Sequence, residues 1–369
     1  MKKSLTKILL LGCSIFLVAC SGQKEELADV STSASPVSQK PINENGLPIV
    51  KDPVTRTETL LHTVVQIQVY HEDTEDVIQE TVDYMEAMEK QLSTKLKDSD
   101  VYRINENAGI QPVKVEEETI EIIDRAIQIA EESDGLFDIS IGALTNLWQI
   151  GSEDARVPSE DEIEEAINLI DYQKIIIDKE NMTVMLEEEG MALELGGISK
   201  GYIGSGVVEI LEENNVTTAI VNLGGNVIVM GTSPNSDKGW NVGVQDPDEV
   251  RGDIVGTQRV KDAAIVTSGI YERYLEVDGI KYHHIMDPRT GYPLDNEISG
   301  VTVFAPTSFD GDSYSTALFL MGIEEGIKFI DSKEGFEVAY IDKDGGVHLS
   351  AGIKDSFELT NEEYYIINE

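Results

Sequence analysis

Leu193-Glu194-Leu195-Gly196-Gly197-Ile198-Ser199-Lys200-Gly201-Tyr202-Ile203-Gly204 is the stretch around which the chain is organised. A short apolar run enters paired glycines, and a lysine-bearing turn opens an apolar-periodic helix that continues through Gly206-Val207-Val208-Glu209-Ile210-Leu211. A strand–glycine turn–helix junction lets backbone approach a ligand closely and aims free helix N–H groups at an anion. The spacing matches neither the dinucleotide-binding fingerprint nor the phosphate loop that ends Gly-Lys-Ser/Thr, because this lysine precedes its glycine. Its meaning therefore rests on the motifs to either side.

On the N-terminal side, residues 63–70 alternate and are rich in β-branched side chains, which predicts a strand. Residues 76–96 place Ile78, Val82, Met85, Met88 and Leu92 three or four apart, the pattern of an amphipathic helix with its methionines in the core. A polar loop is expected over 97–109, then a helix over 117–132 ended by Asp134-Gly135, then a third helix near 161–169. Short strands are expected at 174–178, 183–187 and 192–195, and beyond the central helix at 218–221, 226–230, 240–245 and 263–267. Further strands follow at 274–277, 281–285 and 300–305. A long helix over 311–331 precedes a closing hairpin, 338–342 with 346–349, turned by Asp344-Gly345. Strands joined by tight turns, with helices in blocks, indicate an α+β domain of mostly antiparallel sheet rather than an alternating α/β fold.

The N-terminus reads as a targeting segment. Lys2, Lys3 and Lys7 form a basic region, and the apolar run from Ile8 to Val18 is short for a membrane span. It ends Leu17-Val18-Ala19-Cys20-Ser21-Gly22, which resembles a bacterial lipoprotein cleavage box. That resemblance implies a signal peptide over 1–19, lipid on Cys20, and a protein anchored at the extracytoplasmic face of the cell membrane by its lipid alone. Residues 20–55 are rich in Ser, Pro, Gln, Lys, Glu and Asn and read as a flexible tether, leaving 56–369 as the folded domain. Cys13 leaves with the signal and Cys20 is acylated, so thiolate metal sites, disulfides and cysteine nucleophiles are excluded from the mature domain.

The formal net charge is −41, with 41% hydrophobic and 26% charged residues. Such acidity argues against nucleic acid as a partner, and reads first as a solvated surface. An anionic ligand on so acidic a chain would favour a cation as intermediary.

Four further stretches place polar groups next to glycine. They are Gly135-Leu136-Phe137-Asp138-Ile139-Ser140, Asn222-Leu223-Gly224-Gly225-Asn226, Thr267-Ser268-Gly269-Ile270-Tyr271-Glu272-Arg273 and His283-His284-Ile285-Met286-Asp287-Pro288-Arg289-Thr290-Gly291. Singly, each is a turn or hairpin. With five histidines in all, an adjacent pair is informative; on a strand His283 and His284 face opposite ways, one toward a site and one packed or exposed. No serine sits in a nucleophile elbow, which leaves a Ser-His-Asp hydrolase a poor fit. Asp312 and Thr316, four apart, share a helical face, and a carboxylate with a hydroxyl suits Mg²⁺, although the same residues also suit a helix N-terminus.

In this order the stretches resemble the ApbE family, FAD:protein FMN transferases of the bacterial envelope, over about residues 59–322. The resemblance implies a flavin adenine dinucleotide site with Mg²⁺ between the phosphates. Asp312, Thr316 and the carbonyl of Gly197 match the metal positions. Leu61, Leu136, Phe137, Asp138, Glu194, Lys200, His284 and Ile285 match FAD-contacting positions, and Thr267, Ser268 and Gly269 line the same pocket. The implied reaction is Mg²⁺-dependent transfer of FMN from FAD to a threonine or serine hydroxyl of an exported acceptor protein, with release of AMP. His284 and Asp312 are the candidate bases, Asp312 also as metal ligand alone. The chain departs from the family pattern at several places: Glu194 for an aspartate, Ile139-Ser140 for Pro-Thr, Ser205 for an aspartate, Leu61 for a methionine and Lys95 for an aromatic residue. Two other readings compete, an FAD pyrophosphatase yielding FMN and AMP, and a flavin-binding lipoprotein without chemistry.

Overall fold

The computed structural model describes residues 47–249 and 252–367, so the expected signal peptide, Cys20 and most of the expected tether lie outside the described residues. The described chain begins with a hairpin, β1 (Ile49–Leu60) and β2 (Thr63–His71), followed by helices α1 (Glu75–Gln91) and α2 (Asp100–Glu106). Strand β3 (Val113–Lys114) leads to α3 (Glu117–Glu132), α4 (Gly142–Trp148) and α5 (Glu160–Ile167), then β4 (Ile175–Asp178) and β5 (Thr183–Leu186). The central helix α6 (Ser199–Glu213) precedes β6 (Ala219–Leu223), β7 (Asn226–Met230), β8 (Trp240–Gln245), β9 (Ile254–Val260) and β10 (Ala263–Gly269). A hairpin of β11 (Tyr274–Val277) and β12 (Ile280–His283) is followed by β13 (Ile298–Ala305), α7 (Ser308–Met321) and α8 (Ile323–Asp331). The last strands are β14 (Glu337–Asp342), β15 (Gly346–Leu349), β16 (Glu358–Leu359) and β17 (Tyr365–Ile366).

A nine-stranded sheet in the order β1-β2-β6-β7-β10-β13-β14-β15-β17 forms the frame, antiparallel except where β17 joins β15. Every residue of β13 is buried, because the sheet is covered on both faces. Successive side chains of a strand point to opposite faces. Thus Val301 and Val303 enter the larger core, with α1, α3, α6 and α7, while Phe304 enters a second cluster with Trp240, Val255 and Phe357. That second layer is the small sheet β16-β9-β8. Helix α7 is buried almost all round, which its small residues Gly311, Ser313, Ser315 and Ala317 permit. The fold is α+β with mostly antiparallel sheet, as expected.

Several elements differ from the expectation. Strand β1 begins at Ile49, inside the stretch read as tether, and pairs with β2 as the edge of the large sheet. Helix α1 stops at Gln91 rather than running to 96, and the expected loop 97–109 contains α2, capped by Ser99 Oγ, which accepts from Tyr102 N at 3.1 Å. Residues 192–195 form no strand; Ala192 makes only an isolated parallel bridge to Ile141. The long terminal helix is two helices, starting at a Thr307 cap and broken at Gly322, whose φ of 87° ends α7. Among the described residues no helix is long and apolar enough to cross a membrane.

Candidate active site

The site begins where α6 meets α7. Ile198 precedes α6 without capping it by its side chain. The cap comes instead from the neighbouring helix: Gly201 N donates to Asp312 Oδ2 at 2.8 Å. This meets one of the donors that a helix start leaves open and sets a carboxylate against the positive end of its dipole. The contact demands close helices. A Cβ on Gly201 would stand 2.5 Å from both Asp312 Cβ and Ser308 O, so only glycine allows this approach. Lys200 Nζ reaches Asp312 Oδ1 at 3.3 Å, and Asp312 is almost fully buried.

One turn along α7 lies Thr316. A Cβ on Gly197 would lie 3.5 Å from Thr316 Oγ1, so the paired-glycine turn runs directly beside this hydroxyl. Among the described residues no cluster of three or more His, Cys, Asp or Glu side chains could hold a metal. The donor set here is different in kind: one buried carboxylate, one hydroxyl and adjoining backbone. Hard oxygen donors in small number, leaving room for water and phosphate, fit Mg²⁺.

Leu61, Leu136, Phe137, Asp138, Glu194, Gly197, Lys200, Thr267, Ser268, Gly269, His284, Ile285, Asp312 and Thr316 all line one cleft of about 490 Å³. Every candidate site residue among the described residues is thus brought together. The hydroxyls of the β10 segment are tied down: Thr267 Oγ1 shares a hydrogen bond of 2.8 Å with Thr302 Oγ1, and Ser268 Oγ donates to Ser315 Oγ at 2.9 Å. Ser315 Oγ donates in turn to the carbonyl of Asp312 at 2.9 Å.

His284 and His283 divide as their strand position predicts. His283 is packed: Nε2 bonds the carbonyl of Leu294 at 2.9 Å and Nδ1 accepts from Ile285 N at 3.2 Å. His284 lines the cleft, with Nδ1 3.2 Å from the carbonyl of Arg273 and its own N donating to that oxygen at 3.1 Å. A carbonyl only accepts, so Nδ1 carries the proton and Nε2 is left with its lone pair. Burial, reinforced by the Arg273 guanidinium, pushes the His284 imidazole down to about 4, so it is neutral at physiological pH.

Two carboxylates behave differently from a simple ligand contact. Asp138 Oδ1 accepts from Ser140 N and Oγ at 2.7 and 2.6 Å, and Oδ2 accepts from Tyr172 N at 2.9 Å. Both its oxygens accept hydrogen bonds within the fold, holding the turn that presents Leu136 and Phe137. Burial raises the Asp138 carboxyl above its ordinary range despite these bonds. Glu194 Oε1 accepts from Gly196 N at 2.8 Å and closes the glycine turn on itself, and burial raises this carboxyl too. Ser205, where the family pattern has an aspartate, accepts from Phe309 N at 3.1 Å and so also ties α6 to α7.

The cleft contains residues that sequence reasoning left unassigned: His62, Thr145, Gly224, Arg273 and Met286. Leu61 and His62 are the two central residues of the β1–β2 hairpin, with φ of 54° and 57°. A two-residue turn with both φ positive ordinarily takes Asn or Gly. Leucine there is backbone strain at a cleft wall, and the absence of glycine or asparagine hid the turn.

Residues 61–340 match the ApbE family. The FAD:protein FMN transferase of Treponema pallidum (strain Nichols) is 32% identical over 328 residues, covering 85% of this chain and 91% of that protein. The FAD:protein FMN transferase of Klebsiella pneumoniae (strain 342) is 34% identical over 309 residues, covering 84% and 95%. The crystal structure of the ApbE protein of Thermotoga maritima superposes with a TM-score of 0.75 at 33% identity, over 83% of this chain and 99% of that one. The cleft at the α6–α7 junction and these matches over most of the chain agree: this chain belongs to the ApbE family.

Proposed function

We propose that this chain is an FAD:protein FMN transferase that uses Mg²⁺, attaches FMN through its phosphate to a threonine or serine hydroxyl, and releases AMP. The observation that carries the reading is the meeting, in one cleft, of the Asp312–Thr316 oxygen pair, Lys200 and a neutral His284. The acceptor hydroxyl oxygen attacks the phosphorus on the FMN side of the pyrophosphate. The anhydride bond breaks, AMP departs with the bridging oxygen, and the hydroxyl proton passes to His284 Nε2. A neutral imidazole with its lone pair turned outward from the Arg273 bond is in the protonation state a general base needs.

Asp312, Thr316 and the Gly197 carbonyl would hold Mg²⁺, whose charge would there offset that of the pyrophosphate oxygens. Lys200, on the first turn of α6, supplies a further positive charge beside that position. Phe137 and Leu136, held by the Asp138 turn, give the cleft an apolar wall for an aromatic ring system. The lipoprotein-like stretch Leu17–Gly22 supports a protein anchored through Cys20 at the extracytoplasmic membrane face, acting on exported acceptors.

The test is mass spectrometry of acceptor proteins incubated with FAD, Mg²⁺ and the protein lacking residues 1–20. Gain of one FMN on an acceptor threonine or serine, abolished by Asp312→Ala, is the expected result. Free FMN and AMP with no acceptor modified would instead establish a pyrophosphatase. For the anchor, Cys20→Ser should abolish incorporation of labelled fatty acid in cells; retained label would sink the lipoprotein reading.

A further inference from the structure

We infer that Arg273 is a catalytic residue of this cleft, its guanidinium contacting the pyrophosphate of FAD. The inference rests on the transferase reading above, and four observations carry it. Arg273 lines the cleft at the foot of the β11–β12 hairpin. Its backbone carbonyl accepts both the main-chain N–H and Nδ1 of His284, at 3.1 and 3.2 Å, so its main chain is fixed to the candidate base. Its side-chain stem passes the loop after α4, where a Cβ on Gly151 would stand 3.4 Å from Arg273 Cδ. Its guanidinium makes no hydrogen bond or ion pair with the described residues, whereas Lys200 is held by Asp312.

Electrostatics agree with a side chain directed over the cleft. The same guanidinium acts on two groups of the cleft lining, favouring the charged form of Glu194 and disfavouring that of His284. In a chain of net charge −41, an arginine with no ion pair among the described residues is available to a ligand anion. A planar fork of donors suits two phosphate oxygens at once, which an ammonium does not. As the anhydride bond breaks, negative charge grows on the oxygen that leaves with AMP, and a cation fixed nearby takes up that charge.

The test compares wild type, Arg273→Gln, Arg273→Lys and Arg273→Ala for AMP release, with FAD affinity read by flavin fluorescence. Loss of one donor of this kind costs about 100- to 1,000-fold in kcat, with a smaller change in FAD affinity. Arg273→Lys should recover part of the loss, and millimolar guanidinium should partly restore Arg273→Ala but not Arg273→Gln. Neither recovery is expected of a side chain that only packs. Wild type that cleaves FAD while Arg273→Gln cleaves it equally fast overturns the assignment of Arg273 alone. A slow variant indifferent to lysine and to guanidinium also overturns it. Wild type that leaves FAD intact overturns the transferase reading itself.

Discussion

His284 shows how a single residue takes its chemistry from its surroundings. Its ring is held in one tautomer by a backbone carbonyl and kept neutral by burial, with a value near 4 in place of the usual 6.5. The acid limb of the pH–rate profile for FMN transfer should therefore fall near pH 4. His284→Gln should remove that limb and lower kcat about 100- to 10,000-fold while FAD still binds. A limb near pH 6.5 would assign the base elsewhere. Asp138 makes the opposite case. The resemblance implies it as a ligand contact, and it lines the cleft, while its oxygens also receive donors from Ser140 and Tyr172. Asp138→Asn turns an amide N–H₂ against one of those donors and should cost about 1–3 kcal/mol, measurable by urea denaturation. Asp312 and Thr316 were legible because a spacing of four puts them on one face of any helix. The Leu61-His62 turn was not, because its conformation contradicts the preferences of its residues.

At the scale of elements, the crossing of α6 and α7 decides the site. Gly201→Ala would drive a methyl group into Asp312 Cβ and the Ser308 carbonyl, both 2.5 Å away, and backbone cannot yield cheaply. The helices must part, at about 1–3 kcal/mol by the usual cost of overpacking. The expected outcome is a lower melting temperature together with loss of FMN transfer, checked by calorimetry and by the mass-spectrometric assay. An Ala variant as stable and active as wild type would mean that the crossing tolerates a wider gap. Helices α3 and α6 and strands β7, β8 and β11 were readable because each carries a strong period bounded by turn residues. The break at Gly322 was not, since the apolar pattern runs through it into α8. Strand β1 was hidden by its position: an exposed edge strand carrying Pro53 and a register shift between Ile49 and Val54 has the polar composition of a linker.

Across the whole molecule, acidity and buried imidazoles set the response to solution conditions. His71, His283 and His284 are all held below their ordinary value, first by burial. The unfolded chain then binds more protons below about pH 6.5, so their contribution to stability is present above that pH and is lost as pH falls through the folded values. Asp138 and Glu194, raised by burial, act with the opposite sign. Each stabilises most fully below its unfolded value, near pH 4, and that contribution is lost as pH rises through its folded one. Urea midpoints should be lower at pH 5 than at pH 7. A midpoint that rises on acidification would mean relief of carboxylate repulsion dominates. The net charge of −41 also predicts a melting temperature that rises with added salt, as screening weakens self-repulsion. The cleft, finally, is assembled from separate passes of the chain, from Leu61 in the first hairpin to Leu320 at the end of α7. Asp312 and Thr316 arrive with α7, Gly197 with the turn before α6, His284 with the segment after β12 and Phe137 with the turn after α3. A nascent, clipped or half-folded chain therefore holds no working fraction of the site. The complete cleft lining exists only once these distant segments have docked together.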